Sequence, residues 1–296
     1  QGAIETRAIK AVQENPEHYV DRYTHDVTAK RGNFWADTDE ARRILHEDLI
    51  PGENRLRNAD ALHRAATWIA NTARDKEIAR PGSAREVLIT SGAGGTGKTT
   101  LARAVAASDR HIGVDTTLSN QGDAERLINH SLANGKRVTV VHVWADPSVS
   151  AERVLTRAYE DGERSVPARM QAQQHAQSPT VFLRLADRFK DDPRVMFKAI
   201  DNTGPSMREI PVEELAKLAH NRAKGNPDYE SIIRSATDQA TERLRQRADL
   251  NFERLNDSYV ATVGDVLQPG GQEPGDVSGA NPRSATGQRG PGKRTN

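Results

Sequence analysis

The stretch Gly92-Ala93-Gly94-Gly95-Thr96-Gly97-Lys98-Thr99 constrains this chain more than any other. It fits the pattern G-x-x-x-x-G-K-[ST] in full. Before it comes a β-branched apolar run, Val87-Leu88-Ile89-Thr90, and after it an apolar helical segment from Leu101 to Ala107. Strand, glycine turn, helix is the order in which such a loop binds phosphate. The glycines let successive backbone N–H groups converge on an anion, and the helix N-terminus adds a favourable field. Gly92, Gly94, Gly95, Thr96, Gly97, Lys98, Thr99 and Thr100 are therefore read as a nucleotide cradle. In it Lys98 reaches the β- and γ-phosphates of ATP, and the Thr99 hydroxyl holds Mg2+.

The surrounding pattern predicts the fold. Ile112-Gly113-Val114 reads as a short strand ending at Asp115, Val138–Trp144 as a long one, and Val195–Ile200 as another. Phe34–Ala36 is a strand end feeding a helix that carries Ala41, Ile44 and Leu45. Leu62, Ala65, Ala66, Ile69, Ala70 and Ala73 form one apolar stripe, and Ala124–Leu132 and Pro147–Ala158 are further helices. Strands alternating with helices imply an α/β, three-layer P-loop kinase fold with a largely parallel sheet, helical additions and a disordered C-terminal tail. The expected divisions are an N-terminal helical segment over 1–30, broken at Asn15-Pro16, and the kinase core over 31–211. A C-terminal helical region over 212–265 follows, serving as a cap or a docking arm. The tail, 266–296, is too rich in Gly, Pro, Ser and Arg to bury apolar surface. The chain opens at Gln1 with no secretion signal, and reads as a domain of a larger polypeptide.

Composition removes several function classes. There is no cysteine, so thiolate metal sites and cysteine nucleophiles are excluded. Forty-two basic and 41 acidic residues leave a net charge of +1, and aromatics make up 4%; neither suits a nucleic-acid partner. No run approaches the roughly 18 apolar residues of a membrane span. The nine histidines are scattered without ligand spacing. Of these, His63 and His175 are candidates for lining an acceptor pocket.

Phosphoryl transfer needs a carboxylate near the acceptor hydroxyl and cations over the moving phosphoryl. Asp37 and Asp39 follow the first strand and Asp115 ends the strand after the loop helix, with Thr116 and Thr117 next to it. If both strands flank the loop strand, these carboxylates share its crevice. The plainer role for Asp39 is a helix cap. Arg153 and Arg157 lie four apart on a helix after the strongest strand, and Arg164 lies beyond Asp161-Gly162. All three are candidates for closing over the phosphates. Asp201-Asn202 ends a strand where a nucleotide base would lie.

This set resembles the zeta-toxin family of bacterial P-loop kinases, within the polynucleotide-kinase-like group. The matching pieces are Gly92–Thr99, Asp37-Thr38-Asp39, Asp115-Thr116-Thr117, and Thr156-Arg157-Ala158-Tyr159-Glu160 with Arg164 and His175, over roughly 33–203. The resemblance implies that Asp39 is the base. The aspartate pair stands before the loop here, whereas familiar members have it after, so the motif order is permuted and Asp115 is the substitute base. It further implies an ATP-dependent kinase of a small nucleotide-type metabolite, a nucleotide-activated amino sugar or a dinucleotide. Such a kinase acts as a toxin or effector in the bacterial cytoplasm, delivered within a larger protein, and is held in check by a cognate antitoxin or immunity protein. The alternatives are a kinase of nucleic-acid 5′ hydroxyls and a P-loop ATPase that switches partners without transfer.

Overall fold

A computed structural model of the chain describes residues 2–53, 55–106, 111–161, 166–224 and 228–247, with 251, 254–255, 258–259 and 263 singly. In chain order the elements are α1 (Gly2–Glu14), α2 (Pro16–Arg31), β1 (Trp35–Ala36), α3 (Thr38–Leu49), α4 (Arg55–Ala79), β2 (Glu86–Ser91), α5 (Lys98–Ala106) and β3 (Ile112–Asp115). They continue as α6 (Gln121–Ala133), β4 (Arg137–Trp144), α7 (Pro147–Asp161), α8 (Ala168–Arg188), β5 (Val195–Asp201), β6 (Arg208–Ile210), α9 (Val212–Lys224) and α10 (Tyr229–Arg245). The expected tail over 266–296 and Arg164 both lie outside the described residues.

The strands form one sheet in the order β1-β3-β2-β4-β5-β6. All neighbours run parallel except β6, which returns antiparallel to β5. The loop strand β2 is central, and from Val87 to Ser91 it is wholly buried, as its unbroken apolar run requires. Parallel strands end along one edge. Asp37, Asp115, Gly92, Ala145 and Asn202 therefore follow one another across it, the place where such sheets bind ligands. The register sets Thr90 opposite Asp115 and Ser91 opposite His142. One detail differs from the sequence reading: β3 flanks the loop strand, but β1 pairs with β3 and stands one strand further out.

Alternation along the strands divides the core into two faces. Val87, Ile89, Val138 and Val140 face a large cluster that includes residues of α1–α4, α6 and α8. Leu88, Val141 and Val143 face a smaller one with Trp35, Ala102 and Ile200. Helices thus cover both faces, giving three layers. The N-terminal helices are part of this core through Ala8, Val12, Tyr23 and Val27. Gly32 ends α2 in a left-handed conformation, φ 77°, where glycine alone is unstrained. From the C-terminal region, Ala240 and Leu244 of α10 pack on Leu155 and Tyr159 of α7. Ile233 and Ala236 meet Ala151 and the first turn of α8. No helix among the described residues is long and apolar enough to cross a membrane.

Candidate active site

The glycine loop is shaped by close packing beneath it. Gly95 and Gly97 hold φ of +77° and +100°, and a Cβ on either would fall 2.2 Å from the Ser150 carbonyl oxygen or 2.3 Å from Asn202 Nδ2. Only glycine fits either place. Asn202 Nδ2 donates to the Thr96 carbonyl at 2.8 Å, and the Thr96 hydroxyl donates to the Ala93 carbonyl at 2.9 Å. Lys98 folds back over the loop, donating to the carbonyls of Gly92 at 2.8 Å and Ala93 at 2.9 Å. Thr99 and Thr100 follow in the first turn of α5, Thr100 exposed.

Around Lys98 the structure gathers the charges singled out in the sequence. Burial pushes the ammonium below its ordinary pKa; Asp115 opposes this, Arg157 adds to it, and Asp39 and Asp37 oppose it. Burial likewise pushes the Asp115 carboxyl up to about 6, with Lys98 pulling down, Asp37 and Asp39 pushing up, and Arg31 pulling down. The Thr90 hydroxyl lies 3.4 Å from Asp115 Oδ1. Asp37 and Asp39 differ in role. Asp37 caps α3, accepting the Asp39 N–H at 2.9 Å, and is bound by Arg31 at 2.7 Å. Burial and then Asp39 raise its pKa, against Arg31. The Asp39 side chain is 64% exposed and paired with Arg42. The cap is therefore Asp37, and Asp39 stands free of that duty in the first turn.

Of the arginines, Arg153 donates to the Asn202 carbonyl at 3.1 Å, which holds it behind the loop. Arg157, one turn on, acts on Lys98 as described. Asn202 itself is buried against the loop backbone. His63 is exposed on α4. His175 is buried against Trp144 and stacked on Tyr229, with its Nε2 lacking a hydrogen-bond partner.

Several site residues escaped the sequence reading. Tyr23 is fully buried; its hydroxyl lies 3.2 Å from the carbonyls of Trp35 and Asp37 and accepts the Asp37 N–H at 2.6 Å. Burial raises its pKa, so it stays protonated. Arg31 lies over the Trp35 ring, 5.5 Å from its centre. His142, on β4, faces the Ser91 hydroxyl at 2.9 Å, and burial holds its pKa down to about 3. Gln174 accepts the Gly94 N–H at 3.0 Å. Only His142 left a trace in the sequence, as one polar residue within the apolar run Val138–Trp144.

Residues 109–207 match the zeta toxin family model, a stretch that starts after the glycine loop and spans Asp115, Arg157 and His175. No curated protein matches the chain. Among solved structures, it is similar to a chain of the AvrRxo1-ORF1:AvrRxo1-ORF2 crystal structure with sulphate ions, at 14% identity and TM-score 0.49, over 79% of this chain and 66% of that one. It is also similar to one of the AvrRxo1-ORF1:-ORF2 structure with ATP, at 14% identity and TM-score 0.41, over 64% and 78%. The chain spans about two thirds of the first. With the glycine-loop strand at the centre of a parallel sheet, the chain has a three-layer α/β P-loop fold that is similar to the zeta toxin family over the third of its length at 109–207.

Proposed function

We propose that this chain is an ATP-dependent phosphotransferase acting on a hydroxyl of a small nucleotide-type metabolite, a nucleotide-activated amino sugar or a dinucleotide. The observation that carries the reading is the pairing of β2 with β3, which sets Asp115 beside the glycine loop and within the field of Lys98. A base of pKa about 6 is ionised at neutral pH and still basic enough to take a hydroxyl proton.

On this reading the loop amides and Lys98 hold the phosphates of ATP, Lys98 leaving the Gly92 and Ala93 carbonyls to do so. Asp115 takes the proton of the acceptor hydroxyl as its oxygen bonds to the γ-phosphorus, the bond from that phosphorus to the β–γ bridging oxygen breaks and ADP leaves, while Asp39, at the exposed mouth, meets the acceptor. Arg157 faces the charge spreading over the transferring phosphoryl, a role that the resemblance also gives to Arg164. Arg153 steadies the loop through Asn202. The Thr99 hydroxyl is a hard oxygen donor of the kind Mg2+ takes alongside phosphate oxygens, and would hold it. When bound, Mg2+ neutralises charge on the β- and γ-phosphates.

As a zeta-type kinase the chain would act as a toxin inside a bacterial cell, as part of a larger delivered protein, under the control of an inhibitory partner. The test is ADP release with and without a small-metabolite extract. Transfer predicts that the extract accelerates ADP release and that Lys98→Ala abolishes it. Release that ignores the extract would leave a nucleotide hydrolase and overturn the reading.

A further inference from the structure

Three polar side chains on one stripe of α8 tie that helix to three parts of the site. Gln171, fully buried, donates from Nε2 to the Val166 carbonyl at 2.7 Å. Gln174 accepts the Gly94 N–H at the apex of the glycine loop. Ser178, also fully buried, donates to the Thr117 carbonyl. Spacings of three and four residues place all three on one helix face.

The ties through Gln174 and Ser178 meet opposite sides of the reaction. Gly94 precedes the amides that converge on the β-phosphate, so it lies toward the terminal phosphoryl. Thr117 belongs to the turn after Asp115, on the acceptor side. That turn is under backbone strain: Leu118 is buried and adopts φ +51°, which a residue with a branched side chain rarely does. The Thr117–Leu118 peptide is gripped from both ends, its N–H by the Thr116 hydroxyl at 3.2 Å and its carbonyl by Ser178. Strain of this kind persists only where the surroundings hold it.

We propose that Gln174 and Ser178 are positioning residues, and that α8 is a rigid bar setting the distance between the glycine-loop apex and the Asp115–Leu118 turn. Four residues of helix span about 6 Å. The proposal rests on the phosphotransferase reading, because reacting atoms must be held close and a displacement of about 1 Å costs on the order of a hundredfold. Neither side chain needs to touch the nucleotide.

The test uses the full chain and the variants Gln174→Met, Ser178→Ala and their double. Three quantities are read: hydrogen exchange of the peptides covering 92–99 and 115–119, affinity for a non-hydrolysable ATP analogue with Mg2+, and ADP release with extract. The bar predicts that each single variant speeds exchange in both peptides and leaves analogue affinity within about twofold. Turnover falls by roughly tenfold to a hundredfold. The double variant is no worse than the more damaged single one, because each change breaks the same bridge. Gln174→Glu, which keeps the acceptor oxygen, restores protection of 92–99. Unchanged turnover, affinity falling in step with turnover, or losses that multiply would each overturn the proposal. Should Gln174→Met not fold, Ser178→Ala decides alone, since nothing local to Ser178 would loosen 92–99. A parent chain that binds no nucleotide sinks the phosphotransferase reading, while the exchange data still report whether α8 couples the two segments.

Discussion

The indole of Trp35 lies against Gly113 so closely that a Cβ there would fall 2.0 Å from the ring. This contact seats β1 on β3, backed by the Gly113 N–H to Phe34 carbonyl bond at 2.9 Å. It is what brings Asp37 and Asp39, from the start of the chain, to the same edge as Asp115.

Gly113→Ala should therefore push β1 off its neighbour. Overpacking of this kind costs about 1–3 kcal/mol, which thermal unfolding would read. Turnover should fall further than stability explains, because the aspartate pair moves with the strand. A variant as stable and active as the parent would show that β1 docking is not needed.

Asp115→Asn separates function from stability. With its folded pKa raised from the ordinary 3.8 to about 6, Asp115 binds its proton more tightly in the folded state. Its contribution is present below pH 3.8 and lost as pH rises through 6. The amide removes that penalty, so at pH 7 the variant should gain up to about 3 kcal/mol while turnover drops by roughly a hundredfold or more. In the parent, turnover should rise with pH through about 6.

Arg31 and Asp37 form a pair with side chains only 16% and 18% exposed. Arg31→Gln leaves the carboxylate buried without its cation, and urea unfolding should show a loss of about 2 kcal/mol. Adding Asp37→Asn should recover part of it, a coupling that a double-mutant cycle measures. Purely additive losses would contradict the pairing.

His142 and His175 give the fold an acid limit. Burial lowers both to about 3, with Lys98 adding to the shift. The ordinary value is 6.5, so the unfolded chain takes up protons that the folded chain refuses. Their stabilisation is whole above pH 6.5 and lost as pH falls toward 3. Each contributes a slope of up to about 1.4 kcal/mol per pH unit in that window. His175→Phe should flatten the acid limb of stability against the parent; an unchanged slope would show that His175 is not held neutral.

Much of this was legible in the residues themselves. The glycine loop announced itself because its chemistry is local: eight consecutive residues carry both the turn and the cation. Asn15-Pro16 marked the break between α1 and α2, as a fixed φ at a helix start does. The sheet order was not legible, since β1 has two residues and its neighbour is chosen by Trp35 finding a glycine 78 positions on. α8 was equally hidden, with Pro179 inside it. Gln174, Ser178 and Tyr23 act through backbone groups of other segments, and no spacing in the sequence reports such contacts.

The central claim is transfer of phosphoryl to a metabolite, and mass spectrometry of a small-metabolite extract tests it most directly. The extract is incubated with ATP, Mg2+ and either the chain or Lys98→Ala. The account predicts one metabolite gaining the mass of a phosphoryl group with the parent and none with the variant. ATP consumed to ADP and free phosphate, with every metabolite unchanged, would contradict it.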